Sequence, residues 1–159
     1  GSQRPQVTHC RATENGEDGF FFCWRVRGGV AEGNWLENNG GYGMSIGHKD
    51  SDNFVRHNTI IGNKMGGVYW RNEAEPMAAH RNLFEHNTVR NNHGAGLFVD
   101  GATRGTVIRN NTIEDTGSSN QAIGIRLGEN VGDVVLEDNR VTARQTLVDE
   151  RTNKTDASK

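Results

Sequence analysis

The sequence predicts an all-β protein: a single-stranded, right-handed parallel β-helix of about six coils, each of 24 residues or slightly more, with three short strands per coil. Three columns of residues predict it. Segments led by asparagine recur as Asn34-Trp35-Leu36, Asn58-Thr59-Ile60, Asn87-Thr88-Val89, Asn111-Thr112-Ile113 and Asn139-Arg140-Val141, at intervals of 24, 29, 24 and 28. Five residues after the leader stand Asn15, Asn39, Asn63 and Asn92, with Thr116 at the end. Nine residues after it stand Gly19, Gly43, Gly67 and Gly96, with Gly124 following a four-residue insertion. A register held in three columns marks a solenoid, in which a coil cannot bury its own inner face and must stack on its neighbours.

Each coil then reads as three strands. Before the leader lie Val30-Ala31, Phe54-Val55, Leu83-Phe84, Val107-Ile108 and Val135-Leu136. Two residues after it, Leu36, Ile60, Val89, Ile113 and Val141 supply one inward side chain per coil. After the glycine come Phe20-Phe21-Phe22, Met44-Ser45-Ile46, Val68-Tyr69-Trp70, Leu97-Phe98-Val99 and Ile125-Arg126-Leu127. Their first and third residues are apolar, the period-2 pattern of a strand with one buried face. In the first coil Cys10 takes the leader's place. No leucine framework supports a leucine-rich repeat, and glycine and asparagine interrupt every window long enough for an amphipathic helix.

The reading divides the chain into residues 1–6, a tag or leader remnant beginning Gly1-Ser2; residues 7–148, the β-helix; and residues 149–159, a polar, loose tail. Extra residues fall at Arg71 to His80 and Gly117 to Ala122, where insertions in a solenoid become loops at one edge. The leading asparagines are expected to stack ~4.8 Å apart at one corner. Two residues before each leader, Glu32, Arg56, Glu85, Arg109 and Glu137 alternate in sign. Stacked in register, they would support one another and oppose a slip by one coil.

Composition narrows the function. The 159 residues carry 18 basic and 20 acidic side chains, a net charge of −2, which offers no nucleic-acid-binding surface. No apolar run is long enough to span a membrane. Cys10 and Cys23 are the two cysteines, outside any CxxC pair, and read either as free thiols or as a disulfide.

Chemistry gathers on the outward side of the strand that follows the glycine. One column holds Phe21, Ser45, Tyr69, Phe98 and Arg126; the next holds Cys23, Gly47, Arg71, Asp100 and Gly128. Beside them runs His48-Lys49-Asp50-Ser51-Asp52-Asn53. Aromatics against sugar faces and cations against carboxylates make a saccharide groove from Lys49, Tyr69, Arg71, Phe98, Asp100 and Arg126. Catalytic candidates are His48, Tyr69, Arg71 and Asp100, paired as His48 with Asp100 or Tyr69 with Arg71. The same residues also describe a plain solvent-exposed sheet. Asp50 and Asp52 are candidate Ca²⁺ ligands without the rest of a calcium loop, and no other cofactor is read. His57 and His86 share one column, either as a metal-holding pair or as turn residues continued by Asn110 and Asp138.

The Asn-x-[Ile/Val/Leu] and Gly-apolar-x-apolar segments resemble the pectate-lyase-like superfamily of right-handed parallel β-helices, over about Val7 to Val148. The stretch from Ser45 to Asn53, with Val68-Tyr69-Trp70-Arg71-Asn72 and His80-Arg81-Asn82, is similar to bacterial members of that group. The resemblance implies a polysaccharide or oligosaccharide partner; lyase, hydrolase or epimerase chemistry if the protein is an enzyme; and a secreted or periplasmic location. The aspartate cluster of pectate lyases and the Asp-Pro-His motif of alginate epimerases are both missing, so no catalytic residue carries over. A catalytically inert structural or engineered module, or a fragment, is the alternative. The bare first coil, with Phe20, Phe22 and Trp24, predicts end-to-end self-association.

Overall fold

The computed structural model describes residues 1–117 and 120–152. Its described residues form six coils of three strands each, numbered in chain order, stacked into three parallel six-stranded sheets. The first sheet takes β1 (Gln6–Thr8), β4 (Val30–Glu32), β7 (Phe54–Arg56), β10 (Leu83–Glu85), β13 (Thr106–Arg109) and β16 (Val134–Glu137). The second takes β2 (Arg11–Thr13), β5 (Trp35–Glu37), β8 (Thr59–Ile61), β11 (Thr88–Arg90), β14 (Thr112–Glu114) and β17 (Arg140–Thr142). The third takes β3 (Phe20–Phe21), β6 (Tyr42–Ile46), β9 (Gly66–Trp70), β12 (Ala95–Val99), β15 (Ile123–Leu127) and β18 (Gln145–Asp149). The parallel β-helix predicted from the repeat is therefore observed.

The core is a stack of like residues. In the first sheet Ala31, Val55, Phe84 and Ile108 pair in turn; in the second, Leu36, Ile60, Val89 and Ile113 do so. All are essentially inaccessible to solvent. In the third sheet Met44, Val68 and Leu97 form one inward column, and Ile46, Trp70 and Val99 the next. Removing these apolar side chains from water is the main favourable contribution to the fold, and a coil obtains it only with neighbours above and below.

Three corners must turn the chain without leaving buried amides unpaired, and asparagine does this at each. Asn58 Nδ2 donates to Ala31 O and to Asn87 Oδ1, both at 2.9 Å, while Asn58 Oδ1 accepts the Asn34 backbone N–H at 2.9 Å. One side chain thus joins three coils. The second corner repeats the pattern through Asn15, Asn39, Asn63 and Asn92. That ladder ends on Gln121, whose Oε1 accepts the Asn92 N–H at 3.1 Å, and not on Thr116. Insertion at 117–120 moves the inward position, and Thr116 instead bonds the Asn91 side chain on the outside. A third ladder, unread in the sequence, runs from Gly29 through Asn53 to Asn82.

The corner between first and second strands is built on left-handed backbone. His57, His86, Asn110 and Asp138 have φ of 54°, 54°, 54° and 48°, which explains the polar, turn-tolerant residues of that column. The His57 and His86 rings stack at 5.2 Å.

The insertion at 71–80 packs back onto the solenoid. Ala78 and Ala79 are buried, Lys49 N–H donates to Met77 O at 2.7 Å, and His80 bridges to Arg104. Of the second insertion, residues 118 and 119 lie outside the described residues. The chain after β18 is described as far as Thr152. Glu150 N–H donates to Leu127 O, and Arg151 closes on Asp149 at 2.9 Å, so the start of the expected loose tail is held; the rest lies outside the described residues.

Candidate functional site

The third sheet positions the site. Its five-residue strands carry the column Ser45–Tyr69–Phe98–Arg126 in the expected register, with Ser45 buried and the other three half-buried, and Arg71 and Asp100 stand one residue past the ends of β9 and β12. Tyr69 and Phe98 lie side by side, ring centroids 5.3 Å apart, and Tyr42 extends the row at 4.8 Å from Tyr69. Arg126 caps it with its guanidinium 4.6 Å from the Phe98 ring centre. The sequence reading missed Tyr42, which stands two residues before the inward Met44 and would be inward by strict alternation.

This row differs from a flat sugar platform. Tyr42 and Tyr69 are stacked at an interplanar angle of 23°, so their faces cover one another and outward access is to ring edges and hydroxyls.

Polar groups form a connected chain. Ser45 Oγ donates to Asp18 Oδ2 at 2.6 Å, and Arg71 Nη2 donates to Ser45 Oγ at 3.0 Å. Arg71 Nη1 lies 2.7 Å from His48 Nδ1, and His48 Nε2 lies 3.0 Å from Glu73 Oε1. The His48 backbone N–H also donates to Glu73 Oε2. Cys23 Sγ comes within 3.8 Å of the same His48 Nδ1. Arg71 therefore turns toward His48 and Ser45, although its strand position is beside Asp100.

Asp100 takes other partners. It accepts the Tyr69 hydroxyl at 3.5 Å and the Gly101 N–H at 2.8 Å. His48, Tyr69 and Arg71 thus share one face with Asp100, but the pairing of His48 with Asp100 is replaced by His48 with Glu73. Burial, with help from the Asp100 carboxylate, raises the Tyr69 phenol above its ordinary value, so it stays protonated through the physiological range.

Asp50 and Asp52 diverge. Asp50 is fully buried and accepts N–H groups of Val26 at 2.8 Å and Gly47 at 3.3 Å; burial pushes its pKa up to about 6. Asp52 grips Arg81 through two bonds of 2.7 and 2.9 Å, and that bonding holds its carboxyl below the usual range. Both carboxylates have protein donors. Among the described residues, no group of three or more His, Cys, Asp and Glu side chains comes together to hold a metal ion.

Fold and site together define a repeat β-solenoid with one polar, aromatic face. Residues 1–148 match the family model described as NosD, periplasmic copper-binding protein, and the chain belongs to that family. No curated protein and no solved structure matches it.

Proposed function

We propose that the chain is a saccharide-binding β-helix module that takes an extended acidic oligosaccharide along the third sheet, parallel to the solenoid axis. The observation supporting this reading is the row of hydrogen-bonding and cationic groups at Tyr69, Arg71, Asp100 and Arg126, spread over three successive coils and backed by the buried Ser45. Coils lie ~4.8 Å apart, comparable to the length of one sugar unit, so a polymer meets a new partner at each step. Guanidinium groups match carboxylates with paired N–H bonds, which favours uronates over neutral sugars. Lys49, half-buried and bonded through its backbone N–H to Met77 O of the insertion, adds a cation next to His48. Stacked aromatics contribute edges and the Tyr69 hydroxyl instead of ring faces. Binding is favoured over turnover because Tyr69 is held protonated and each catalytic candidate is already engaged by a protein partner.

Titrating uronate and neutral oligosaccharides against the protein in metal-free buffer, with amide shifts read by NMR, tests this. Shifts confined to β6, β9, β12 and β15, lost in Arg71→Ala, support it. Shifts on another face, or none at millimolar ligand, leave an inert structural module.

The family's description also names copper, and one observation favours a second reading. Thiolate and imidazole bind zinc at roughly 2.3 and 2.0–2.1 Å, so donors 3.8 Å apart can share one ion of that size. Cys23 and His48 would fit a soft ion that accepts two strong donors once Arg71 Nη1, 2.7 Å from the same Nδ1, has moved away.

A further inference from the structure

We infer that the outward face of the first sheet docks a second copy of this chain, face to face, about a two-fold axis that runs parallel to the strands between the third and fourth coils. The strands of this sheet turn Ala31, Val55, Phe84 and Ile108 inward, so the residues on either side of each point outward. On one side stand Val30, Phe54, Leu83, Val107 and Val135, paired in turn from the second coil to the sixth. Phe54 is 43% exposed and Val135 37%, and the other three are half-buried. A water-facing strand position is ordinarily polar, and an unbroken apolar row on a surface marks an interaction site. On the other side runs the alternating column Glu32, Arg56, Glu85, Arg109 and Glu137.

The order of charges selects both the occupant and the axis. Rotation about an axis parallel to the strands reverses the order of the coils and keeps each column over itself. With the axis between the third and fourth coils, all six described coils overlap. Phe54 then meets the partner's Leu83, and Val30 meets the partner's Val107. In the adjoining column Arg56 meets the partner's Glu85, and Glu32 meets the partner's Arg109. Apolar lies on apolar while every one of these charges faces its opposite. An axis through the fourth coil would set like on like, and one along the solenoid would take the charged column off its counterpart.

The arginines are free to take a second carboxylate. Arg56 reaches Glu32 through Nη2 at 3.1 Å and Arg109 reaches Glu85 through Nε at 2.9 Å, and each keeps 41% of its side chain exposed. A guanidinium carries five N–H donors, so others remain for the partner. Six strands ~4.8 Å apart make a face roughly 24 Å tall and little wider than one strand with its corners. That is small beside the ~800 Å² per partner of stable complexes, so the dimer is weak and fills at high concentration. An isologous pair closes at two copies, whereas end-to-end stacking has no such limit. The third sheet is a separate face, so the dimer leaves it open and does not depend on saccharide binding.

Sedimentation equilibrium of the whole chain from about 10 µM to about 1 mM tests this, with circular dichroism confirming the fold of each variant. Wild type should pass from monomer to dimer and stop there. Phe54→Lys, beside the axis, should raise the dissociation constant about tenfold or more. Trp35→Lys, at a site 40% exposed on the second sheet, should leave it unchanged. Arg56→Glu and Glu85→Arg should each weaken the dimer about tenfold or more, because each alone sets like charges across the axis. An equal mixture of those two should associate as tightly as wild type, because opposite signs then meet at both contacts. A monomer at about 1 mM, growth past two copies, an unchanged constant in Phe54→Lys, or a mixture no tighter than its components overturns the proposal.

Discussion

At the scale of single residues, the glycine column is explained by the ladder beside it. An ideal Cβ built on Gly19 would lie 2.6 Å from Asn39 Nδ2, one on Gly43 would lie 2.7 Å from Asn63 Nδ2, and one on Gly96 would lie 2.9 Å from Gln121 Nε2. No methyl fits there without displacing the ladder residue of the next coil, so the glycine at each of these positions is a steric condition of the ladder stacked on it. Gly43→Ala should therefore cost on the order of 1–3 kcal/mol, as overpacking does, whereas Gly16→Ala, with open space around it, should be near neutral. Urea unfolding of the two variants checks this. Asp50 gives a pH-dependent prediction. Its folded pKa of about 6 lies above the ordinary carboxylate value, so its contribution is full at acid pH and is lost as pH rises through about 6. The wild-type melting temperature should fall from pH 5 to pH 7 relative to Asp50→Asn, which carries no titrating group there. Parallel pH profiles for the two proteins would contradict the assignment.

At the scale of elements, ladders and charge columns hold the coils in register. Asn58→Ala would strip the Asn34 N–H of its acceptor and leave the Ala31 carbonyl without its side-chain donor, each unpaired buried group costing about 1–3 kcal/mol. Asn58→Asp should be no better, since an oxygen would face Asn87 Oδ1 and Ala31 O where Nδ2 now donates at 2.9 Å. Asn139→Ala, at a half-buried end of the ladder, should cost less. Thermal melts ranked in that order are the expected outcome. The alternating column is in register, with Arg56 on Glu32 at 3.1 Å and Arg109 on Glu85 at 2.9 Å. Arg56→Glu, which places three like charges in a row, should cost about 1 kcal/mol, and Lys64→Glu on an exposed turn should cost less. Two of the three ladders were legible because their residues repeat in every central coil. The third was hidden because Gly29 and Thr106 interrupt it, although Asn53 and Asn82 each stand five residues before a leader. The site was legible only in its columns. Register places Arg71 beside Asp100, but a long side chain chooses among partners, and Glu73 comes from an insertion that no period predicts.

At the scale of the whole molecule, a solenoid is a one-dimensional stack, and its stability should vary along the axis. Central coils have neighbours on both sides. Phe84, Val89 and Leu97 in the fourth coil are fully buried, and asparagine ladders pass through two of its corners with Asn82 at the third. The sixth coil is poorer. Val135 and Leu147 are exposed at 37% and 47%, Leu136 and Val141 are only partly buried, and two residues separate β17 from β18, leaving no room for a ladder amide. Gln121 Nε2, where the second ladder would continue into that coil, is buried without a hydrogen-bond partner. The first coil is likewise thin, with Cys10 in place of asparagine and Phe21 half exposed. Amide hydrogen exchange should therefore show greatest protection in β8 to β12 and a decline toward β1–β3 and β16–β18. The sixth coil should open at lower denaturant than the third or fourth, through fraying that proceeds inward. Asn87→Ala, in the middle of the stack, should merge these steps by lowering the stability of the centre toward that of the ends. Uniform protection across the eighteen strands of the described residues would instead mean that the ladders couple the coils into one cooperative unit.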